Sequence, residues 1–405
     1  MEQWKEYRLS ELCDILSGGT PKTTESKYWG GGIPWLSVKD FGNVDKYVYT
    51  TEKTITNVGF EHCPSKMLQK DDIIISARGT VGAIAMISSS MSFNQSCFGL
   101  RGNDLVDKHF LYYLIHTKVR ELRSNSHGSV FDTITRNTFD NIICNIPSKV
   151  IQHKIATILS FLDDKIELNR KINSNLEEQA KALFKSWFID FKPFKGGKFV
   201  DSELGKIPEG WKVLSLDEIA DYLNGLAMQK YRPATGEQNL PVLKIKELGQ
   251  GYCDASCDKC SSKVPSQYIV NDGDVIFSWS GTLMVDLWCG GICGLNQHLF
   301  KVSSEDYPKW FYLMWTLEHL NRFIHIAKDK AVTMGHIKRE ELHKAKVVVP
   351  TTPIFNKANM LFAPIVDEMI NTRISNRKLS VVRDTLLPKL MSGEIDVEHS
   401  KLLFI

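Results

Sequence analysis
Apolar residues recur at steps of three and four through residues 147–191, at Ile151, Ile155, Ile158, Leu162, Ile166, Ile172, Leu176, Ala180, Leu183 and Trp187. That spacing lays one apolar seam along a helix and turns the intervening Asp, Glu, Lys and Asn toward water. The seam turns polar for one turn, at Asn169. About forty residues at 1.5 Å rise make a rod of roughly 60 Å, too long to stand without a partner along its seam. A second, weaker stripe at residues 354–390 supplies one, and within it Ala358, Ile365, Thr372, Leu379 and Leu386 keep a seven-residue spacing. Pro364 and Pro388 fall inside that stripe. Each removes a backbone donor and crowds the preceding turn, which predicts a kink near Pro364 and a kink or stop near Pro388.

Each stripe closes a long, mixed block, and the two blocks match. Trp4, Leu9, Leu12 and Gly18 return as Trp211, Leu216, Ile219 and Gly225, and the run from Ile33 to Lys39 returns from Leu240 to Lys246, all 207 residues later. The run from Asp72 to Thr80 returns from Asp274 to Thr282, and Asn94-Gln95 returns as Asn296-Gln297, at an offset of 202. Phe110-Leu111-Tyr112 matches Trp310-Phe311-Tyr312, and Ile146-Pro147 matches Val349-Pro350 at the entrance to each stripe. So ordered a series is a duplication of one domain-plus-helix unit, since solenoid repeats run only about 20–50 residues. Within the first block, residues 71–76 read as a strand ending in a turn at Gly79, and residues 107–124 read as a helix. The expected fold is α+β: two pseudo-symmetric globular domains, each with a largely antiparallel sheet, joined by two long antiparallel helices. The expected order is a first domain at 1–147, a helix at 148–191, a Pro/Gly/Lys-rich linker at 192–208, a second domain at 209–350, a second helix at 351–392 and a tail at 393–405.

Composition narrows the setting. The 405 residues have room for two or three cored domains, and 43% hydrophobic with 24% charged residues is ordinary for a globular chain. No run of eighteen apolar residues predicts a membrane span. Nine cysteines behind an N-terminus without a secretory pattern point to free thiols in a reducing cytoplasm. A net charge of +3 neither argues for nucleic acid nor excludes it.

No catalytic motif is present. Gly18-Gly19-Thr20-Pro21-Lys22 lacks P-loop spacing and reads as a recognition loop or plain turn. There is neither a G-x-G-x-x-G opening a helix nor the Asn/Asp-Pro-Pro-aromatic run of an amino-methyltransferase. Asp14 with Glu25 and Lys27 has the form of a minimal nuclease pattern, but so few constraints match by chance. Cys257-x2-Cys260 and Cys289-x3-Cys293 have zinc-like spacing; the alternative is a set of free buried thiols, because the first block has no counterpart.

These features together resemble the specificity subunit of Type I restriction-modification enzymes over essentially the whole chain. The carrying residues are the duplicated Trp-x4-Leu-x2-Leu/Ile openings, the Asp72–Thr80 turn and its copy, the Asn-Gln pairs, and Ile/Val-Pro entering each helix. Leu386-Leu387-Pro388-Lys389-Leu390-Met391-Ser392-Gly393-Glu394-Ile395 is similar to that family's C-terminal signature. The resemblance implies two target-recognition domains, two spacer helices and no catalysis in this chain. It implies double-stranded DNA as ligand, two methyltransferase subunits carrying S-adenosylmethionine as direct partners, and motor-nuclease subunits joined through the complex. The helix pair would set the unread gap of a two-part target. The rival readings are a stand-alone DNA-modifying or cleaving enzyme and a coiled-coil protein scaffold.

Candidate DNA contacts follow. Lys22 and Thr23 lie in the Gly-Pro loop, with Lys230 near the matching loop; each is a phosphate contact or a solvated loop residue. Lys39 and Lys246 are repeat-matched, as a shared backbone contact or a shared structural pair. Arg78-Gly79-Thr80 and Ser280-Gly281-Thr282 sit on tight turns, where Arg78 suits guanine, or they are hairpin turns alone. Asn94-Gln95 and Asn296-Gln297 are identical in both halves, which favours a structural amide network over base reading. Residues 129–136, with Ser129, Thr133 and Arg136, and Lys338-Arg339 precede the last strand of each block and are phosphate or base contacts. Phe184, Trp187 and Phe188 pack helix on helix or anchor a partner subunit.

Overall fold
The computed structural model describes residues 4–42, 46–124, 133–329 and 337–398. They form two compact units, Met1–Glu167 with Leu379–Ile405, and Leu168–Lys378. Each unit has its own core, and each contains part of both long helices, Lys149–Phe184 and Thr352–Met391.

In the first unit the apolar run Ile73–Ser76 is the central strand of a five-stranded sheet. Cys97–Gly102 and Ile84–Ile87 flank it, with Cys13–Ser17 and Tyr47–Val48 at the edges. All pairs are antiparallel except the edge pair Tyr47–Val48 with Ile84–Ile87. The run is apolar throughout because both faces are covered: Ile73 and Ile75 enter a core with the helix Lys108–Ser124, and Ile74 enters a second core with Leu36 and Phe93.

The second unit repeats this arrangement. Val275–Ser278 lies between Leu299–Ser303 and Met284–Leu287, with Val275 and Phe277 in one core and Ile276 in another. Asp72 opens the first of these strands, almost fully buried and held 2.6 Å from the Arg101 guanidinium, while its counterpart Asp274 pairs with Lys301 at 3.1 Å. The preceding residues, Asp71 and Gly273, both take a positive φ, of 69° and 85°. The last strand of each domain pairs with its first: Ile143–Ile146 with Lys5–Arg8, and Lys346–Val349 with Lys212–Ser215.

The long helices close both cores. In the first unit Ile151, Ile155 and Leu159 share a core with Leu387, Leu390 and Met391. In the second, Ala180 and Phe184 share one with Ala358, Phe362 and Val366. Within the second unit Asn169 donates to Asn376 at 2.8 Å and Asn173 to Thr372 at 2.6 Å, so rising numbers on one helix meet falling numbers on the other and the pairing is antiparallel.

Three expectations need correction. Asp163 and Asn173 face inward rather than toward water, beside Asn169 where the seam turns polar, and each has a polar partner: Asp163 accepts from Tyr113 (2.5 Å) and from Arg383 (2.8 Å), and Asn173 donates to Thr372 while its Oδ1 has no partner among the described residues. Of the kink or stop expected near Pro388 the stop is excluded, because the second helix runs on to Met391, within the expected 351–392. A proline leaves the carbonyl four residues back without its helical donor; here these belong to Met360 and Asp384, both at exposed positions. The segment read as a linker contains structure of its own, because Phe199–Ser202 pairs with Gly205–Pro208 around Gly205 at φ 86°. Among the described residues no helix is long and apolar enough to cross a membrane.

Candidate nucleic-acid interface
In each domain the same three backbone bonds tie together matched chain segments. In the first unit Gly19 N–H donates to Phe93 O (2.9 Å), Asn94 N–H to Leu36 O (2.9 Å), and Ile134 N–H to Ala77 O (3.1 Å). In the second, Leu226 N–H donates to Leu295 O (3.0 Å), Asn296 N–H to Leu243 O (3.1 Å), and Ile337 N–H to Trp279 O (3.1 Å). Ser76 Oγ bonds the Thr80 carbonyl, and Ser278 Oγ bonds that of Thr282 at 2.8 Å, closing the same turn over Gly79 (φ 74°) and Gly281 (φ 65°). Gly18 and Gly225 recur because a Cβ there would lie 2.1 Å and 2.2 Å from the Asn94 and Asn296 carbonyl oxygens.

The side chains on this frame divide into a shared set and a differing set. Asn94 Oδ1 accepts from Ser96 N–H (3.2 Å) and Asn296 Oδ1 from His298 N–H (3.3 Å), the structural amide role expected of them. Around the first frame Thr20 Oγ1 donates to Gln95 Oε1, Trp35 Nε1 to Gly19 O (3.0 Å) and Trp29 Nε1 to Lys22 O (3.2 Å), which ties the Gly-Pro loop to the segment bearing Gln95 and to the strand Trp29–Leu36. Arg78, Gly79 and Thr80 stand exposed. Around the second frame Ser280 Oγ lies 3.0 Å from His298 Nδ1, Gln297 Nε2 lies 3.3 Å from His298 Nε2, and Trp279 Nε1 donates to Asn224 Oδ1 at 2.9 Å.

Lys22, Thr23, Lys39, Lys230, Thr282 and Lys338 are exposed, as a phosphate contact requires, whereas Ser280 is buried beneath His298. Lys246 is engaged by Asp254 at 3.4 Å. Ser256, through its hydroxyl and backbone N–H, with Lys246 adding to them, holds the Asp254 carboxyl down to about 2, so a phosphate must compete for this lysine with a firmly ionised neighbour. Arg136 and Arg339 are not simple outward cations. Arg136 donates to Ile15 O (2.8 Å) and Ser17 Oγ (3.1 Å); Arg339 donates to Tyr222 O (3.0 Å) and lies over the Phe300 ring. Ile15 and Tyr222 are themselves repeat-matched, so this pair ties the last loop of each domain to the same strand. Thr133 is half-buried at the edge of the described residues, and Ser129 lies outside them.

Phe184 and Phe188 are not partner anchors: each is about 1% exposed, inside an aromatic cluster with Trp310, Trp315 and Phe362. Burying these rings in their own domain is worth more than presenting them, because aromatic side chains dominate core burial. Trp187 is half-buried against Phe194. Cys253 bonds the thiols of both Cys257 and Cys293, but the four cysteines with zinc-like spacing do not form a metal-holding set. Cys257 Sγ approaches Glu247 (3.6 Å), Cys260 packs with Met228 and Val264, Cys293 packs with Trp288 and Leu295, and the Cys289 carbonyl faces Arg377. Among the described residues no group of three or more His, Cys, Asp or Glu is placed to hold a metal. Burial pushes the Cys257 thiol up to about 12. Sequence reasoning missed His298, Trp279 and Asn224, whose only signal was that they differ from their repeat partners.

The sequence profile of the Type I restriction modification DNA specificity domain matches residues 1–178 and again 208–382. The chain is 31% identical to the Type I restriction enzyme MjaIX specificity subunit of Methanocaldococcus jannaschii, covering 98% of this chain and 95% of that one. It is 22% identical to the Type I restriction enzyme HindI specificity subunit of Haemophilus influenzae, covering 98% of this chain and all of the relative. Its fold is similar to the crystal structure of a Type I restriction-modification S subunit from M. genitalium, with a TM-score of 0.57 at 16% identity and 96% of each chain covered.

Proposed function
Since the chain belongs to the family of Type I restriction-modification specificity subunits, we propose that each of its two domains reads one half of a bipartite duplex DNA target. The observation that carries this reading is the duplicated frame: the same backbone bonds recur in both units, while the side chains standing on them differ. A shared frame gives both domains an equivalent way to meet a DNA backbone, and differing side chains give each half-site its own bases. The subunit is not an enzyme. Two methyltransferase subunits dock on it and carry S-adenosylmethionine, and motor-nuclease subunits join through that complex in the cytoplasm.

Support for docking along the helices comes from their exposed apolar side chains, since the aromatic cluster is already occupied. Phe161 (55%) and Val381 (61%) in the first unit and Met360 (69%) in the second are bare of any core. The helix pair sets the length of the unread gap.

The test is to co-express the chain with a cognate methyltransferase subunit and sequence the host genome for methylated adenines. A two-part motif with a fixed gap is expected. A continuous motif, or methylation without sequence preference, contradicts the reading.

A further inference from the structure
The two domains sit on one frame yet must read different bases. Residues identical at matched positions therefore build the frame, and residues that differ there are where specificity resides. The identical pairs are Gly18/Gly225, Ser76/Ser278, Gly79/Gly281, Thr80/Thr282, Asn94/Asn296 and Gln95/Gln297. Most have a structural explanation in bonds or close contacts common to both units. Three neighbouring pairs differ: Ala77/Trp279, Arg78/Ser280 and Ser96/His298.

These differences are mutually consistent. In the first domain a small buried Ala77 and a small Ser96 leave Arg78 as the large polar group of the turn, exposed to solvent. In the second the turn residue shrinks to Ser280, which is buried, and the large polar group stands on the neighbouring segment as His298. Ser280 Oγ fixes the His298 ring through Nδ1 at 3.0 Å, and the Trp279 ring packs against it with centroids 6.1 Å apart. Among the positions that differ, the frame thus presents one hydrogen-bonding side chain in each copy, from the turn in one domain and from the facing segment in the other. The loops bearing the exposed Lys22 and Lys230 are anchored to this frame through Gly19 and Leu226, three and four residues before those lysines.

We propose, resting on the DNA-reading function above, that Arg78 and His298 are specificity-determining residues of the first and second half-sites. Arg78 reads a guanine through the paired acceptors on its major-groove edge, which match the guanidinium fork. His298 reads a base in the other half-site, and Ser280 is its positioning residue.

The experiment uses the full chain co-expressed with a cognate methyltransferase subunit, comparing wild type with Arg78→Ala, His298→Ala and Lys22→Ala by sequencing methylated adenines. Arg78→Ala is expected to lose about ten- to a hundredfold of its preference at one position, a guanine in the wild-type motif, and to leave the other half-site unchanged. His298→Ala relaxes one position of the opposite half-site, and Ser280→Ala does so more weakly. Lys22→Ala lowers methylation evenly without altering the motif. Where an alanine variant abolishes methylation, Arg78→Lys and His298→Gln decide, each shifting base preference in its own half-site only. A wild-type complex that marks no two-part site overturns the functional reading, and this inference falls with it. A wild-type motif that survives both sets of substitutions unchanged, or that changes in the same half-site for both, overturns the inference alone.

Discussion

Arg136 and Arg339 show how a charge read as a DNA contact acquires another role once its surroundings are known. Each donates to the carbonyl of a repeat-matched strand residue, Ile15 and Tyr222. Replacing either with Ala removes a charge-assisted bond and should cost about 1 kcal/mol, less than a buried bond because water partly replaces it. The expected result is a lower melting temperature with the salt dependence of DNA binding unchanged. Lys22→Ala should do the reverse, leaving the melt alone and flattening the slope of log affinity against log salt by about one. Equal slopes for all three variants would refute the distinction. Glycine supplies the second residue-scale prediction. At Gly18 and Gly225 an added methyl would meet backbone oxygen at 2.1 Å and 2.2 Å, and neither neighbour is a side chain able to swing away. Gly18→Ala and Gly225→Ala should each lose about 2–3 kcal/mol in urea unfolding. A neutral Gly225→Ala would mean that the frame is softer than its contacts imply.

Among the elements, the long helices owe their pairing to more than an apolar seam. Asn173 and Thr372 are buried and bonded at 2.6 Å inside the second unit, next to the Asn169–Asn376 pair. Buried polar pairs of this kind fix register at some cost in stability. Asn173→Val alone removes one bond of the Thr372 hydroxyl, whose O–H still donates to the Glu368 carbonyl at 2.7 Å, and should cost about 1 kcal/mol, whereas the double change Asn173→Val with Thr372→Val should be nearly neutral. A double-mutant cycle by urea unfolding reads the coupling, and additive single effects would sink the pairing argument. Arg373 and Arg377 anchor the same helix to its domain. Arg373 bridges Glu177 and Asp286 at 2.6 Å each, and Arg377 meets Asp272 with both nitrogens at 2.6 Å and 2.7 Å. The helix is therefore fastened in register to the sheet as well as to its partner.

For the whole molecule, the proposed measuring role of the helices is open to a length test. Seven residues added to each helix at its midpoint, near Glu167 and Lys378, keep the seam in phase and lengthen it by about 10 Å. At about 3.4 Å per base pair the gap in the methylated motif should grow by about three base pairs, with both half-sites unchanged. An unaltered gap at normal methylation would show that the helices do not set it.

The sequence by itself determined the duplication, the two long helices and the α+β character of both domains. These features are written as local periodicity and as ordered matches such as Asp72 to Thr80 with Asp274 to Thr282, neither of which needs knowledge of what touches what. It also singled out the Asn-Gln pairs and favoured a structural role for them, because identity between copies is visible without coordinates. Tertiary structure alone decided that Asp163 and Asn173 turn inward, since a polar residue's direction depends on a partner; for Asn173 that partner lies about two hundred residues away. It alone decided that Phe184 and Phe188 fill their own domain, that Arg136 and Arg339 bond to it, and that the four spaced cysteines do not form a metal-holding set. The physical reason is common to all of them. Spacing along a chain fixes which face of an element a side chain occupies, but only packing between distant segments settles whether that face meets a core, a bonding partner or solvent.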